Sequence, residues 1–322
     1  MQARAERPVG HSTRLRLGLL ALLVGVALFV SACLPPPGIR PDANGAWHPD
    51  YLPYQGVGTW VDAYDYVDGY QTTGKPAPLH TDVLVSMAQQ GVKTIYLQAA
   101  KEDPRSPGDL IDPNLLGQWV TTAHSLGMNV VGWYLPTLTN PDRDLQHLMA
   151  MFNFQVNGQT LDGIGVDIES RVVTDVNDRN NRLVSLSQRL RAQTGTSVLS
   201  AIVVPPVVMD VINVNFWPGF PWASLAPYYN VWMPMNYWTG RTQASGYHDG
   251  YRYTVDNITL LRQHISNPSA IVHPIGGIAD TATDQEIRGM VQGAQEQGAI
   301  GWSMYDWNTT RLTSMPVIRG QG

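Results

Sequence analysis

The stretch "LDGIGVDIES", Leu161 to Ser170, reads as a strand that is apolar on one face and ends in acid on the other. Residues two apart in an extended chain share a face, so Ile164, Val166 and Ile168 point one way while Gly163, Gly165, Asp167 and Glu169 point the other. A β-branched face suits packing under helices. A face of two glycines followed by two carboxyls suits the inside of a barrel, with the acids at the carboxyl end of the strand, where (β/α)8 enzymes carry their active sites. Two carboxyls roughly 7 Å apart on one partly desolvated face cannot both ionise freely, so one is pushed towards its protonated form. A proton donor is the expectation; two solvated acids at a strand end, or one acid capping the next helix, is the structural alternative.

Working outward, the same phrase recurs. Apolar runs bounded by turn signals predict strands at 56–64, 92–100, 129–136, 163–169, 197–205, 230–238, 270–277 and 299–307. Amphipathic stretches at 81–91, 112–127, 176–195 and 283–298 lie between them, and several end in Gly as helix C-caps do. Eight strand signals alternating with helices predict an α/β protein, a single-domain (β/α)8 barrel. After the last strand only "NTTRLTSMPVIRGQG" remains, so the eighth helix should be incomplete. An open doubly wound sheet is the alternative, but no Gly-rich phosphate fingerprint follows the first strand.

Of 322 residues 43% are hydrophobic and 15% charged, enough to bury a large core without biased tracts, and the net charge is −5. A nucleic-acid partner is not expected, because no basic patch is available to neutralise phosphates. Residues 1–32 read as an export leader: Arg4, Arg7, Arg14 and Arg16 precede the apolar run Leu17–Val30 and the small residues Ser31 and Ala32. That run is short for a membrane span, which needs roughly 20 residues. "Val30-Ser31-Ala32-Cys33" resembles the lipobox of bacterial lipoproteins, which implies lipid attachment at Cys33, the sole cysteine, and anchoring to the outer face of the cell membrane. Residues 33–54, dense in proline and turn formers, are expected to be a tether, with the barrel at 55–322.

At strand four a family resemblance appears. "Asp162-Gly163-Ile164-Gly165-Val166-Asp167-Ile168-Glu169" resembles the DGxDxDxE signature of family 18 glycoside hydrolases, the chitinases and their relatives, with Gly165 in place of the middle Asp. "Met235-Asn236-Tyr237" resembles the family's Met-x-Tyr-Asp with Trp238 replacing the Asp, and "Gly301-Trp302-Ser303" resembles the strand that carries its sugar-stacking Trp. Strand three lacks the family's Ser-x-Gly-Gly. The resemblance implies Glu169 as general acid and Asp167 as the residue that orients a substrate N-acetyl group, whose carbonyl oxygen replaces a protein nucleophile. It further implies a hydrogen bond from Tyr237 to that group and Trp302 stacked beneath the ring. The two missing acids make a binding protein without turnover a rival expectation.

Six of the ten Trp fall in predicted strands. Indole faces accept the apolar side of a sugar ring, so Trp238, Trp302 and Trp307 are expected in the cleft, whereas Trp60, Trp133 and Trp232 are assigned to the core. Asp62 and Asp65 at the end of strand one, Glu102 and Asp103 after strand two, and Asp306 at the end of strand eight could each hold a sugar hydroxyl or tune Glu169, and each also reads as an ordinary solvated loop acid; Asp62 is the first candidate. The histidines show no metal-ligand spacing, so no metal and no cofactor are expected. With no Gly-x-Ser-x-Gly elbow and no Cys beyond Cys33, acyl-enzyme chemistry has little to stand on. The expectation is a monomeric, lipid-anchored protein outside the cytoplasm that cleaves an N-acetylated polysaccharide or oligosaccharide such as peptidoglycan or a chitin-like polymer. The alternatives are a silent carbohydrate-binding barrel, a muramidase resembling the family 25 lysozymes, and a scaffold for a partner protein.

Overall fold

A computed structural model describes residues 36–44, 46–72 and 74–321; the leader and Cys33 lie outside the described residues. Eight parallel strands close into a barrel: β1 Gly56–Val61, β2 Thr94–Gln98, β3 Asn129–Tyr134, β4 Gly163–Ile168, β5 Leu199–Val203, β6 Val231–Asn236, β7 in two pieces (Ile271–Val272 and Ile275–Gly277) and β8 Gly301–Tyr305. Each pairs with its sequence neighbours, and β8 returns to β1 through Gly301 opposite Gly56 and Met304 opposite Thr59. All eight predicted strands are present, each trimmed by a few residues at its ends.

Six helices cover the barrel: α1 Val83–Gln89, α2 Pro113–Ser125, α3 Pro141–Phe152, α4 Val176–Thr194, α5 Gly250–His264 and α6 Asp284–Glu296. Their starts are set by side chains that accept orphan backbone N–H groups: Asp112 for α2, Asn140 for α3, Asp175 for α4, Asp249 for α5, and a Thr283–Glu286 capping box for α6. The spans of α3 and α5 were not among the predicted amphipathic stretches. Two positions lack a full helix. Between β5 and β6 the chain uses a single π turn and Trp222–Leu225, where Trp217, Phe220 and Trp222 supply the cover. After β8 only Met315–Ile318 remains, yet β8 still pairs on both sides.

The segment expected to be a spacer is folded from Gly38 onward. Ile39–Pro41 pairs antiparallel with Trp47–Pro49, and Gly38 bonds to Asp162 and Val198 at the amino-terminal ends of β4 and β5. Gly38 is required there: its φ is +76° and an added Cβ would lie 2.4 Å from the Val198 nitrogen. Tyr54, fully buried, reaches under the barrel so that its hydroxyl sits against Gly163 and the Ile164 carbonyl. Proline and turn residues here specify a hairpin and a plug instead of an extended chain, because the open floor of the barrel offers apolar surface to cover.

Candidate active site

Alternation along each strand decides what the barrel encloses. Low in the barrel, His273 Nδ1 donates to the Tyr54 carbonyl at 2.8 Å, and the Tyr96 hydroxyl lies 3.4 Å from its Nε2. Above that layer Trp60 stacks on Tyr96 with centroids 4.6 Å apart and donates its indole N–H to Ser303 at 2.9 Å. At the carboxyl-terminal end the layers stop and a cavity of about 270 Å³ opens, walled by Trp60, Asp62, Tyr64, Gln98, Lys101, Trp133, Leu135, Asp167, Glu169, Ile202, Met235, Tyr237 and Tyr305. Every strand but β7 contributes, itself or through the residues just beyond its end.

Asp167 lies deep in this cavity, 7% exposed, and its Oδ1 is buried with no hydrogen-bond partner. Burial first, and the neighbouring Glu169 second, hold its carboxyl well above the usual aspartate range. Glu169, one residue past the end of β4, is exposed at the mouth, while the protein around its carboxyl still pushes its pKa up by desolvation. Neither carboxyl forms an ion pair among the described residues. The pair expected from the sequence is thus brought together, unpaired with arginine and facing open volume. Tyr237 joins it from just past β6, its hydroxyl pushed well up by burial and by Asp167, Glu169 and Asp306.

Gly165 explains why only two acids are present. A Cβ at this position would lie 3.0 Å from Ile202 Cδ1 and 3.2 Å from Ser200 Oγ, so a middle Asp would need both β5 side chains to give by a few tenths of an ångström. Asp162, the first acid of the stretch, is at the opposite end of β4, where it accepts from His124 at 2.8 Å and the Val130 N–H at 2.7 Å. It holds the strand in place rather than facing the cavity.

Asp62 faces the cavity as expected, and its carboxylate accepts from the Tyr305 hydroxyl at 2.8 Å and the Tyr64 N–H at 2.7 Å. Asp306 does not line the cavity: it is buried behind Asp62 and accepts from Thr309. With Asp65 these form a cluster whose oxygens come within 4.8 Å of one another, the grouping among the described residues that has metal-ligand spacing. Burial, then Asp62 and Asp306, push the Asp65 carboxyl up to about 7, and Asn308 donates to it at 3.0 Å. Each acid has its own donors: Tyr305 and the Tyr64 N–H on Asp62, Asn308 on Asp65 and Thr309 on Asp306.

The three tryptophans expected in the cleft are elsewhere. On β8, Ser303 and Tyr305 point inward, so Trp302 points out and donates its N–H to the Ile318 carbonyl at 2.6 Å. Trp238 is fully buried and its ring occupies the space beside Gly276 on β7. Trp307 is buried in the core, its backbone N–H bonded to the Trp60 carbonyl. Trp60 and Trp133 are buried in the core, as assigned from sequence, and also border the cavity, whose less buried aromatics are Tyr64, Tyr237 and Tyr305. Sequence reasoning also missed Lys101 and Gln98. The signal available was alternation counted from Gly58 and Tyr96, which places residues 60, 62 and 98 inside.

No protein-family model matches the chain, and no curated protein matches it. Solved structures do. The C-terminal domain of a Desulfitobacterium hafniense protein assigned as a chitinase aligns with a TM-score of 0.58 and 11% identity over 83% of this chain and 99% of its own. The endo-1,4-beta-mannanase of Rhizomucor miehei aligns with a TM-score of 0.58 and 8% identity over 84% and 89%, respectively. The Bacillus cereus spore cortex-lytic enzyme SleL aligns with a TM-score of 0.57 and 7% identity over 86% of this chain and 77% of its own. What is shared is the fold. At these identities the chemistry must be argued from the cavity itself.

Proposed function

We propose that this chain is a glycoside hydrolase that cleaves an N-acetylated glycan of the peptidoglycan or chitin type, with Glu169 as the proton donor. The observation that carries the reading is the pair Asp167 and Glu169, unpaired with any cation, at the open end of an aromatic-floored cavity. A donor must hold its proton at working pH and reach the scissile oxygen, and Glu169 combines a raised pKa with a position at the mouth. Asp167, deeper and with a free Oδ1, is suited to accept a hydrogen bond from an amide N–H of the substrate. That contact would turn the amide's carbonyl oxygen towards the anomeric carbon, and Tyr237 would donate to the same group. The reaction then breaks the C1–O bond as Glu169 gives its proton to the leaving oxygen, and water later opens the cyclic intermediate with Glu169 as base. Tyr64 and Tyr305, cavity aromatics that are not buried, are the surfaces a sugar ring would meet.

The test is hydrolysis of N-acetylglucosamine oligomers and isolated cell wall by the protein and by Glu169→Gln. The variant is expected to lose about 10²- to 10⁴-fold in rate while retaining binding. Activity equal to that of the unaltered protein would sink the assignment.

A second reading, a barrel that binds glycan without turnover, is favoured by one observation: Ile202 and Ser200 crowd the place of a third carboxyl beside Asp167. Saccharide binding with no products at any pH from 4 to 9 would select it. We also propose export and lipid attachment at Cys33, for which the leader pattern is the support. Expressed with its leader, Cys33→Ser should move the protein from the membrane to the soluble fraction, whereas retention in the membrane counts against the anchor.

A further inference from the structure

The cavity holds three acids and one cation, and the cation is the only charged side chain of its loop without a partner. Between β2 and α2 the charged residues are Lys101, Glu102, Asp103, Arg105, Asp109 and Asp112. Arg105 grips Asp103 in a two-point contact at 2.9 and 2.7 Å. Glu102 is held by Arg143 at 3.3 Å and His147 at 2.8 Å, and Asp109 is paired with the same Arg143. Asp112 caps α2. Lys101 alone meets no carboxylate within ion-pair distance among the described residues. It is half-buried in the cavity wall, its Nζ 5.1 Å from the centroid of the Tyr64 ring.

The ammonium forms no ion pair although its field reaches Asp167, and it keeps donor capacity for an anion. The Tyr64 face supports its charge without neutralising it, and Tyr64 is braced by Tyr70, on which Arg105 stacks at 4.1 Å. Asp62, Asp167 and Tyr237 are available to the hydroxyls and amides of a neutral glycan. That leaves the ammonium, the cavity's one cation among the described residues, for an acidic substituent.

We infer that Lys101 forms a subsite for a carboxylate carried by the glycan, so that the preferred substrate is an amino-sugar polymer with an acid substituent on some of its rings. This rests on the hydrolase reading above and narrows it, favouring a muramyl-type chain over unsubstituted chitin. A Lys101 that only offsets the charge of Asp167 and Glu169 would serve all glycans alike, so the discriminating quantity is a ratio.

The experiment measures binding to full-length Glu169→Gln protein, which keeps the probes intact during titration. The three probes are the N-acetylglucosamine tetramer, an alternating tetrasaccharide bearing 3-O-lactyl carboxylates, and that tetrasaccharide with its carboxyls reduced to alcohols. The acid form is expected to bind about tenfold more tightly than the alcohol form, with the ratio falling as salt rises. Adding Lys101→Met should bring the ratio close to one, and Lys101→Arg should keep most of it; a thermal melt of each variant confirms folding. The subsite is overturned if acid and alcohol forms bind equally, if the preference survives Lys101→Met, or if that change weakens all three probes alike. Failure of every probe to bind would instead overturn the glycan reading, and the subsite with it.

Discussion

Asp167 is where structure and chemistry conflict most openly. A carboxyl almost wholly buried, with one oxygen unmatched, is a cost to the fold that a site for a polar ligand can offset only when filled. Its pKa is raised above the ordinary aspartate value. The folded chain therefore keeps a proton that the unfolded chain has released, and the stabilisation is present at low pH and lost as pH rises through the raised value. Asp167→Asn removes that dependence. The variant should melt about 2–4 °C higher than the parent at pH 8, with little difference at pH 4, while activity collapses. Equal melting points at both pH values would contradict the burial argument. The acids of β4 were legible because side-chain alternation in a strand is local. Family resemblance places Trp302 in the cleft, and alternation along β8, with Ser303 and Tyr305 inward, turns it outward.

At the scale of elements, the hairpin and Tyr54 show how a stretch without periodicity becomes structure. Nothing between Leu34 and Tyr54 repeats with the period of a helix or strand, and the segment is shaped by the surface it covers. Tyr54 buries its whole side chain under the barrel, so Tyr54→Ala should cost about 3–5 kcal/mol of unfolding free energy, measured by denaturant titration. A loss below about 1 kcal/mol would mean that the floor is held by other contacts. The same dependence on a neighbour explains the connection from β5 to β6. There an aromatic cluster of Trp217, Phe220 and Trp222 does the covering a helix does elsewhere, and no amphipathic pattern announces it. In α3 the apolar positions are broken by the buried polar residues Asp144 and His147, which bond to Tyr134 and to Glu102. A pattern search tuned to apolar stripes passes over such a helix.

The whole molecule depends on closure. With only one short turn of helix after it, β8 is held by β7 on one side and β1 on the other, and from it Ser303 and Tyr305 bond to Trp60 and Asp62. Ending the chain at Gly298 removes all of these and leaves two raw strand edges, so the truncated protein should show no cooperative thermal transition by circular dichroism. A sharp transition would show that a seven-stranded remnant folds alone. Sequence by itself determined the eight strands, their parallel order and the carboxyls at the end of the fourth, because periodicity and side-chain alternation act over a few residues and need no partner. Only the tertiary structure decided which aromatics face the cavity, that Ile202 packs beside Gly165, and that Lys101 enters the cavity without an ion pair. Those depend on contacts between residues tens of positions apart, and no local pattern carries the distance between them.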